Sequence, residues 1–203
     1  MRFTFFCVVI VLLGCSRTPQ AQDQFQTGDI IFQSSKSGQS YAVQLATHSK
    51  YSHVGMIVKL GGKTYVYEAV QPVKYTPLLT WIGHGDGRHY VVKRLKPTVH
   101  KFHEEDFEKI ISAGEKYKGK NYDLYFEWSD EKIYCSELIW KIYREALGIE
   151  VGVLQELKSF DLSHPIVQEK VQERYGENIP LNEKVISPGG MFDSDKLYTV
   201  TEQ

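Results

Sequence analysis

Cysteine is scarce in this chain: Cys7, Cys15 and Cys135 are the only three among 203 residues, and none stand as Cys-x-x-Cys. That excludes a disulfide scaffold and a paired structural zinc site. Blocks of like charge are also missing. Lys and Arg number 24 against 25 Asp and Glu, a net charge of -1, which argues against nucleic acid as a partner and against a polybasic reader of membranes. The longest apolar stretch, residues 3–13 with Thr4 inside it, covers 11 positions, too few for a membrane-spanning helix, which needs roughly 20. What is there is ordinary for a globular domain: 42% apolar and 24% charged residues, enough for one core and hardly enough for two.

Arg2 followed by that apolar stretch fits an export signal. The stretch ends in Leu12-Leu13-Gly14-Cys15, which resembles the lipobox of bacterial lipoproteins. The resemblance implies cleavage after residue 14 and acylation of Cys15. An ordinary cleaved signal is the alternative. Residues 15–26, rich in Gln, Ser and Pro, read as a lipidated tether. Ser16 in place of Asp points to the outer membrane, with the protein at its periplasmic face. Loss of residues 1–14 leaves Cys135 as the one unmodified thiol. It is either a buried apolar cysteine or a reactive one.

Residues 27–203 read as a single α+β domain, strands first and helices later. Gly28-Asp29 leads into a strand at Ile30-Ile31-Phe32. Residues 52–60 and 63–70 flank Gly61-Gly62, a hairpin signal. Residues 90–95 make another strand, after a turn-rich loop at 83–89. The period then changes to helical over 102–117 and, most clearly, over 134–147, where Cys135, Leu138, Ile139, Ile142 and Ala146 share a face and Gly148 suits the C-terminal cap. Further helices are expected over 165–175 and from Ser187-Pro188.

The hairpin carries a geometric inference. A turn centred on Gly61-Gly62 pairs Leu60 with Lys63, so His53 lies opposite Val70 and Gly55 opposite Glu68. His53 and Glu68 become diagonal neighbours on one face, roughly 7–8 Å apart at Cβ; a one-residue slip would separate them. A carboxylate beside an imidazole fixes its tautomer and supports its charged form, although an exposed ion pair would look the same. Cys135 is what such a pair could serve. A thiol becomes a good nucleophile when a base or a helix N-terminus lowers its pKa from about 8.5, and Cys135 comes early in its helix. A helix start at Ser129 or Asp130 would weaken that argument.

At these residues the chain resembles the YaeF/YiiX-like permuted papain-fold cysteine hydrolases, relatives of the NlpC-type cell-wall peptidases and of lecithin:retinol acyltransferase. The matching stretches are Thr27-Gly28-Asp29-Ile30-Ile31-Phe32, Tyr51-Ser52-His53-Val54-Gly55, Tyr67-Glu68-Ala69, Gly119-Lys120-Asn121-Tyr122-Asp123 and Tyr134-Cys135-Ser136-Glu137-Leu138-Ile139-Trp140. Phe160-Asp161-Leu162 and Ser187-Pro188 extend the likeness over nearly the whole chain. Histidine before cysteine, here 82 residues apart, is the order of the permuted group. The resemblance implies a circularly permuted papain-like fold with an antiparallel sheet packed against helices. It also implies Cys135 as nucleophile, His53 as general base and Glu68 as the residue orienting the imidazole. Tyr122 matches a tyrosine that helps hold the oxyanion or substrate, with Asn121 standing where relatives often have proline.

Competing sites are weaker. His84, His89, His100 and His103 lack a metal-binding helix pattern, and Gly85-Asp86-Gly87 reads as a turn. Ser136 lacks a nucleophile elbow. Tyr65, Tyr67 and Tyr75 read as packing. No metal or cofactor is called for. The expectation is an envelope-anchored cysteine hydrolase cleaving amide or peptide bonds, in peptidoglycan stem peptides or small peptide amides, through an acyl-enzyme. A lipid esterase or acyltransferase with the same triad, and a non-catalytic envelope binding lipoprotein, are the alternatives. A groove with polar ends would favour peptides, and an apolar tunnel acyl chains. The sequence names no oligomeric state.

Overall fold

The computed structural model describes residues 24–203. The signal, Cys15 and most of the tether lie outside that range. Phe25, which the sequence reading gave to the tether, is buried among Ile31, Ile57 and Trp81, so the folded part begins before residue 27.

The chain runs β1 (Ile30–Gln33), α1 (Gly38–Thr47), β2 (His53–Leu60), β3 (Lys63–Glu68), β4 (Lys74–Pro77), α2 (Leu78–His84), β5 (Val91–Leu95) and α3 (Glu104–Glu115). Short strands β6 (Asn121–Tyr122) and β7 (Lys132–Ile133) precede α4 (Cys135–Leu147). Then come β8 (Gln155–Glu156), α5 (Pro165–Tyr175), β9 (Lys184–Val185), α6 (Pro188–Phe192) and β10 (Leu197–Glu202). Six strands form one antiparallel sheet in the order β10-β5-β1-β2-β3-β4.

Both faces of that sheet are covered, which is why its strands read as apolar runs rather than clean alternations. Ile30, Phe32, Met56, Val58, Tyr67 and Val91 face one core, which α4 fills with Leu138, Ile139 and Ile142. The intervening residues Ile31, Ile57, Val66 and Val92 face a second core with Leu78, Trp81 and Phe25. This is the expected α+β architecture.

Several elements were not foreseen, β4 and the short strands β6 to β9 among them. Residues 38–47 looked like a polar connection but form α1, started by Ser37, whose side chain accepts from the Ser40 N–H. Residues 78–84, next to the supposed turn-rich loop, form α2. The C-terminal β10 pairs with β5 across about a hundred residues of sequence, a contact no local pattern announces.

The β2–β3 hairpin has the expected register: Leu60 pairs with Lys63 and Met56 with Tyr67. Gly61 and Gly62 carry φ of 55° and 73°, the left-handed conformations that a two-residue turn of this kind requires at both positions.

Candidate active site

Cys135 is the first residue of α4, with Tyr134 as an extended N-cap. The helix therefore does not begin at Ser129 or Asp130. The carboxylate of Glu137, three residues on from the cap, accepts from the Tyr134 N–H, which is half of a capping box and explains a start at this point. First-turn N–H groups of a helix have no intrahelical acceptor. That of Ser136, together with the Val54 N–H from β2, points at the Cys135 sulfur.

His53 opens β2 and meets both partners. Its Nε2 lies 2.7 Å from Glu68 Oε2, with side-chain exposures of 17% and 3%, so this pair is not a solvated surface bridge. The Cys135 thiol interacts directly with the same ring. With Nε2 turned to Glu68, Nδ1 is the nitrogen left for the sulfur.

Glu68 is held from three directions. Thr76 Oγ1 of β4 donates to Oε1 at 2.5 Å, and Trp81 Nε1 of α2 donates to Oε2 at 2.8 Å. The Trp81 indole also stacks beside the imidazole, with ring centroids 5.8 Å apart. Sequence reasoning missed Thr76 and Trp81 because the signal for them is the position of α2 and β4, not a local motif.

The electrostatics follow from this packing. Burial opposes the carboxylate of Glu68, but the hydrogen bond and charge of His53, with Thr76 and Trp81, outweigh it and hold the acid below its ordinary range. Burial likewise opposes an imidazolium at His53, yet Cys135 and Glu68 together raise its pKa well above 6.5. For Cys135, burial favours the thiol, while His53 and the two backbone N–H groups favour the thiolate more, and the pKa falls. Both shifts favour the thiolate–imidazolium pair over the neutral one.

Tyr122 stands close enough to Cys135 that a thiolate there, added to burial, pushes the phenol well above 10; it stays protonated. Gln39 of α1 donates through Nε2 to its hydroxyl oxygen at 3.3 Å, leaving the Tyr122 hydrogen free to point elsewhere. The Tyr122 N–H donates to Gln71 Oε1, and Gln71 Nε2 to Asn121 Oδ1, so asparagine at 121 is built into the support of the tyrosine. Gln39 was missed because α1 was missed.

From Cys135 a groove of about 820 Å³, counted to its open side, runs between α1 and α5. Its walls are apolar: Ala42 and Val43 from α1, Val167 and Val171 from α5, and Phe160 and Leu162 from the segment between. Lys170 and Arg174 are its only charged lining residues.

The other candidates do not assemble. His100 binds Asp106 at 3.0 Å, His89 faces Glu202 at 3.8 Å, and Ser136 Oγ donates to the Ile186 carbonyl. Among the described residues no group of three His, Cys, Asp or Glu side chains is placed to hold a metal ion.

Residues 24–201 match the family described as "permuted papain-like amidase enzyme, YaeF/YiiX, C92 family". YiiX of Escherichia coli (strain K12) is 54% identical over 180 residues, covering 89% of this chain and 88% of that protein. The crystal structure of YiiX from Escherichia coli O157:H7, named there as a metalloprotein, superposes with a TM-score of 0.85 at 54% identity, covering 89% of this chain and 98% of that one. With a cysteine at a helix N-terminus against a strand histidine, in permuted order and over nearly the whole length of these relatives, the chain belongs to the permuted papain-like amidases of the YaeF/YiiX family.

Proposed function

We propose that Cys135, His53 and Glu68 are the catalytic triad of an amidase whose substrate carries an apolar acyl group. The observation that carries this reading is Cys135 at the first position of α4, against an imidazole whose far nitrogen is fixed 2.7 Å from a buried carboxylate.

The chemistry runs as follows. The Cys135 thiolate attacks the amide carbonyl carbon, and the C–O π electrons move onto oxygen. The oxyanion takes hydrogen bonds from first-turn N–H groups of α4 and from the Tyr122 hydroxyl, a contribution of about 3–4 kcal/mol per donor in comparable sites. His53 passes its Nδ1 proton to the nitrogen; the C–N bond breaks and the amine leaves. Neutral His53 then takes a proton from water, the hydroxide attacks the thioester, and the collapse expels the thiolate with the acid. Glu68 orients the ring and supports its charge throughout.

The apolar walls of the groove beside Cys135 favour an acyl chain over a peptidoglycan stem peptide, of whose charged groups only carboxylates would find partners there, in Lys170 and Arg174. The same groove gives weight to the second reading, ester cleavage or acyl transfer on lipids with the same triad. Its contact with the imidazole speaks against a merely structural Cys135, and so against a purely binding role. Lipidation of Cys15 and residence at the outer membrane remain part of the proposal on the strength of the signal and lipobox-like residues alone. Although a relative is called a metalloprotein, the described residues offer no group of three His, Cys, Asp or Glu side chains placed to hold a metal ion, and no step here passes through a metal.

The test is direct. Incubation with p-nitrophenyl decanoate should add one decanoyl group to Cys135, seen by intact mass and peptide mapping, and Cys135→Ala should take up none. Absence of both the adduct and any Cys135-dependent release of p-nitrophenol refutes the reading.

A further inference from the structure

A second groove opens on the other side of the reacting atoms. Gln39, Val43, Ser52 and Tyr122 line both, so the two meet there. Cys135 belongs to the apolar one and His53 to the second. The second is uncharged and mixed: Ser35, Ser37, Ser40, Gln39 and Gln71 contribute hydroxyl and amide groups beside the apolar Val43, Ala69, Val70 and Leu124, and apart from His53 its lining holds no ionisable side chain other than the protonated phenol of Tyr122.

The side occupied by the proton donor fixes which half of the substrate lies where. A general acid must reach the departing nitrogen, so the amine half lies on the His53 side and the acyl half on the Cys135 side. We infer that the second groove binds the amine half, and that this half is neutral and hydroxyl- or amide-bearing, such as an amino alcohol. The inference rests on the amidase reading above.

Charge decides the class. A carboxylate or ammonium on the amine half would lose water and meet no charged side chain but His53, whose charge is already engaged by Glu68 and Cys135. Glu68 is fully engaged by His53, Thr76 and Trp81. The nearby ions Lys36 and Asp86 pair with each other at 3.2 Å. Hydroxyl groups, by contrast, meet partners able to donate or accept: Ser35 and Ser37 lie 3.1 Å apart, with either as donor. A diaminopimelate or a free C-terminal residue therefore has no place on this side.

Two measurements test this. N-decanoyl amides of serinol, glycine, 1,2-diaminoethane and butylamine are compared by kcat/KM, with acylation by p-nitrophenyl decanoate alongside. The serinol amide should lead each of the others by about tenfold or more. Acylation by the ester together with equal rates on the glycine or diaminoethane amide overturns the inference and leaves the triad standing. No acylation overturns both. Ser37→Asp gives the second measurement. Aspartate keeps the N-cap of α1 and adds a carboxylate to the groove, so the ratio of diaminoethane to serinol amide rates should rise about tenfold. An unchanged ratio places the amine half elsewhere.

Discussion

Trp81 Nε1 donates to the same Glu68 oxygen, Oε2, that faces His53, at 2.8 Å against 2.7 Å. Nearly fully buried, this carboxylate has no water to replace a lost donor, so its charge depends on every one of its three partners. Trp81→Phe keeps most of the aromatic packing and removes only the N–H. A net loss of about 1.5–3 kcal/mol is expected for a hydrogen bond to a charged acceptor, read as a lower unfolding midpoint in urea. A weaker carboxylate also supports the imidazolium less, and kcat should fall about tenfold. Unchanged stability and activity would show the indole to be packing alone.

Glu68→Gln tests the electrostatics through pH. The reactive form needs Cys135 ionised and His53 protonated, so activity rises through the pKa of Cys135 and falls through that of His53. The first lies below the ordinary thiol value and the second above the ordinary imidazole value, which makes the plateau wide. Removing the carboxylate charge destabilises the imidazolium and lowers the His53 pKa. It also takes away part of what holds the thiolate, and the Cys135 pKa rises. The plateau should therefore narrow from both sides, with kcat about 10²–10⁴ lower at pH 7. Iodoacetamide alkylation of Cys135 measures the lower limb directly. A pH profile that merely shifts, without narrowing, would contradict a coupled pair.

Gly55 makes the hairpin possible where it carries His53. A Cβ there would lie 2.3 Å from Val66 Cγ1 and 3.2 Å from the Tyr67 carbonyl oxygen. Val66 is fully buried and cannot move aside. Gly55→Ala should cost about 1–3 kcal/mol through overpacking, measured by thermal or urea unfolding. A neutral substitution would mean that β2 and β3 can separate without loss.

What the sequence made legible was local. The Gly61-Gly62 turn sets the β2–β3 register within a few residues, and the register alone brings His53 to Glu68. The helical period of 134–147 places Cys135 near an N-terminus, and the Glu137 contact to Tyr134 settles the start. What stayed hidden was assembled at a distance. Trp81 reaches Glu68 only because α2 packs on the second face of the sheet. Gln39 reaches Tyr122 across 83 residues from a helix that reads as a polar connection. The apolar groove is likewise a product of α1 lying against α5, neither of which is strongly amphipathic, so no periodicity reveals it.

The Gln39–Tyr122 contact yields a prediction about hydrogen-bond direction. As placed, the amide donates to the phenol oxygen, and the phenol keeps its hydrogen for an oxyanion formed at Cys135. Gln39→Glu reverses the contact: a carboxylate can only accept, so it draws the Tyr122 hydrogen away from the site. Gln39→Glu should then lower kcat as much as Tyr122→Phe does, by about 10²–10³, with little change in KM. The double variant should be no worse than either single one, because both remove the same donor. Gln39→Leu only releases the phenol, which remains able to donate, and should cost less than tenfold. The reading is wrong if the leucine variant is as poor as the glutamate one, or if the losses from Gln39→Glu and Tyr122→Phe simply add.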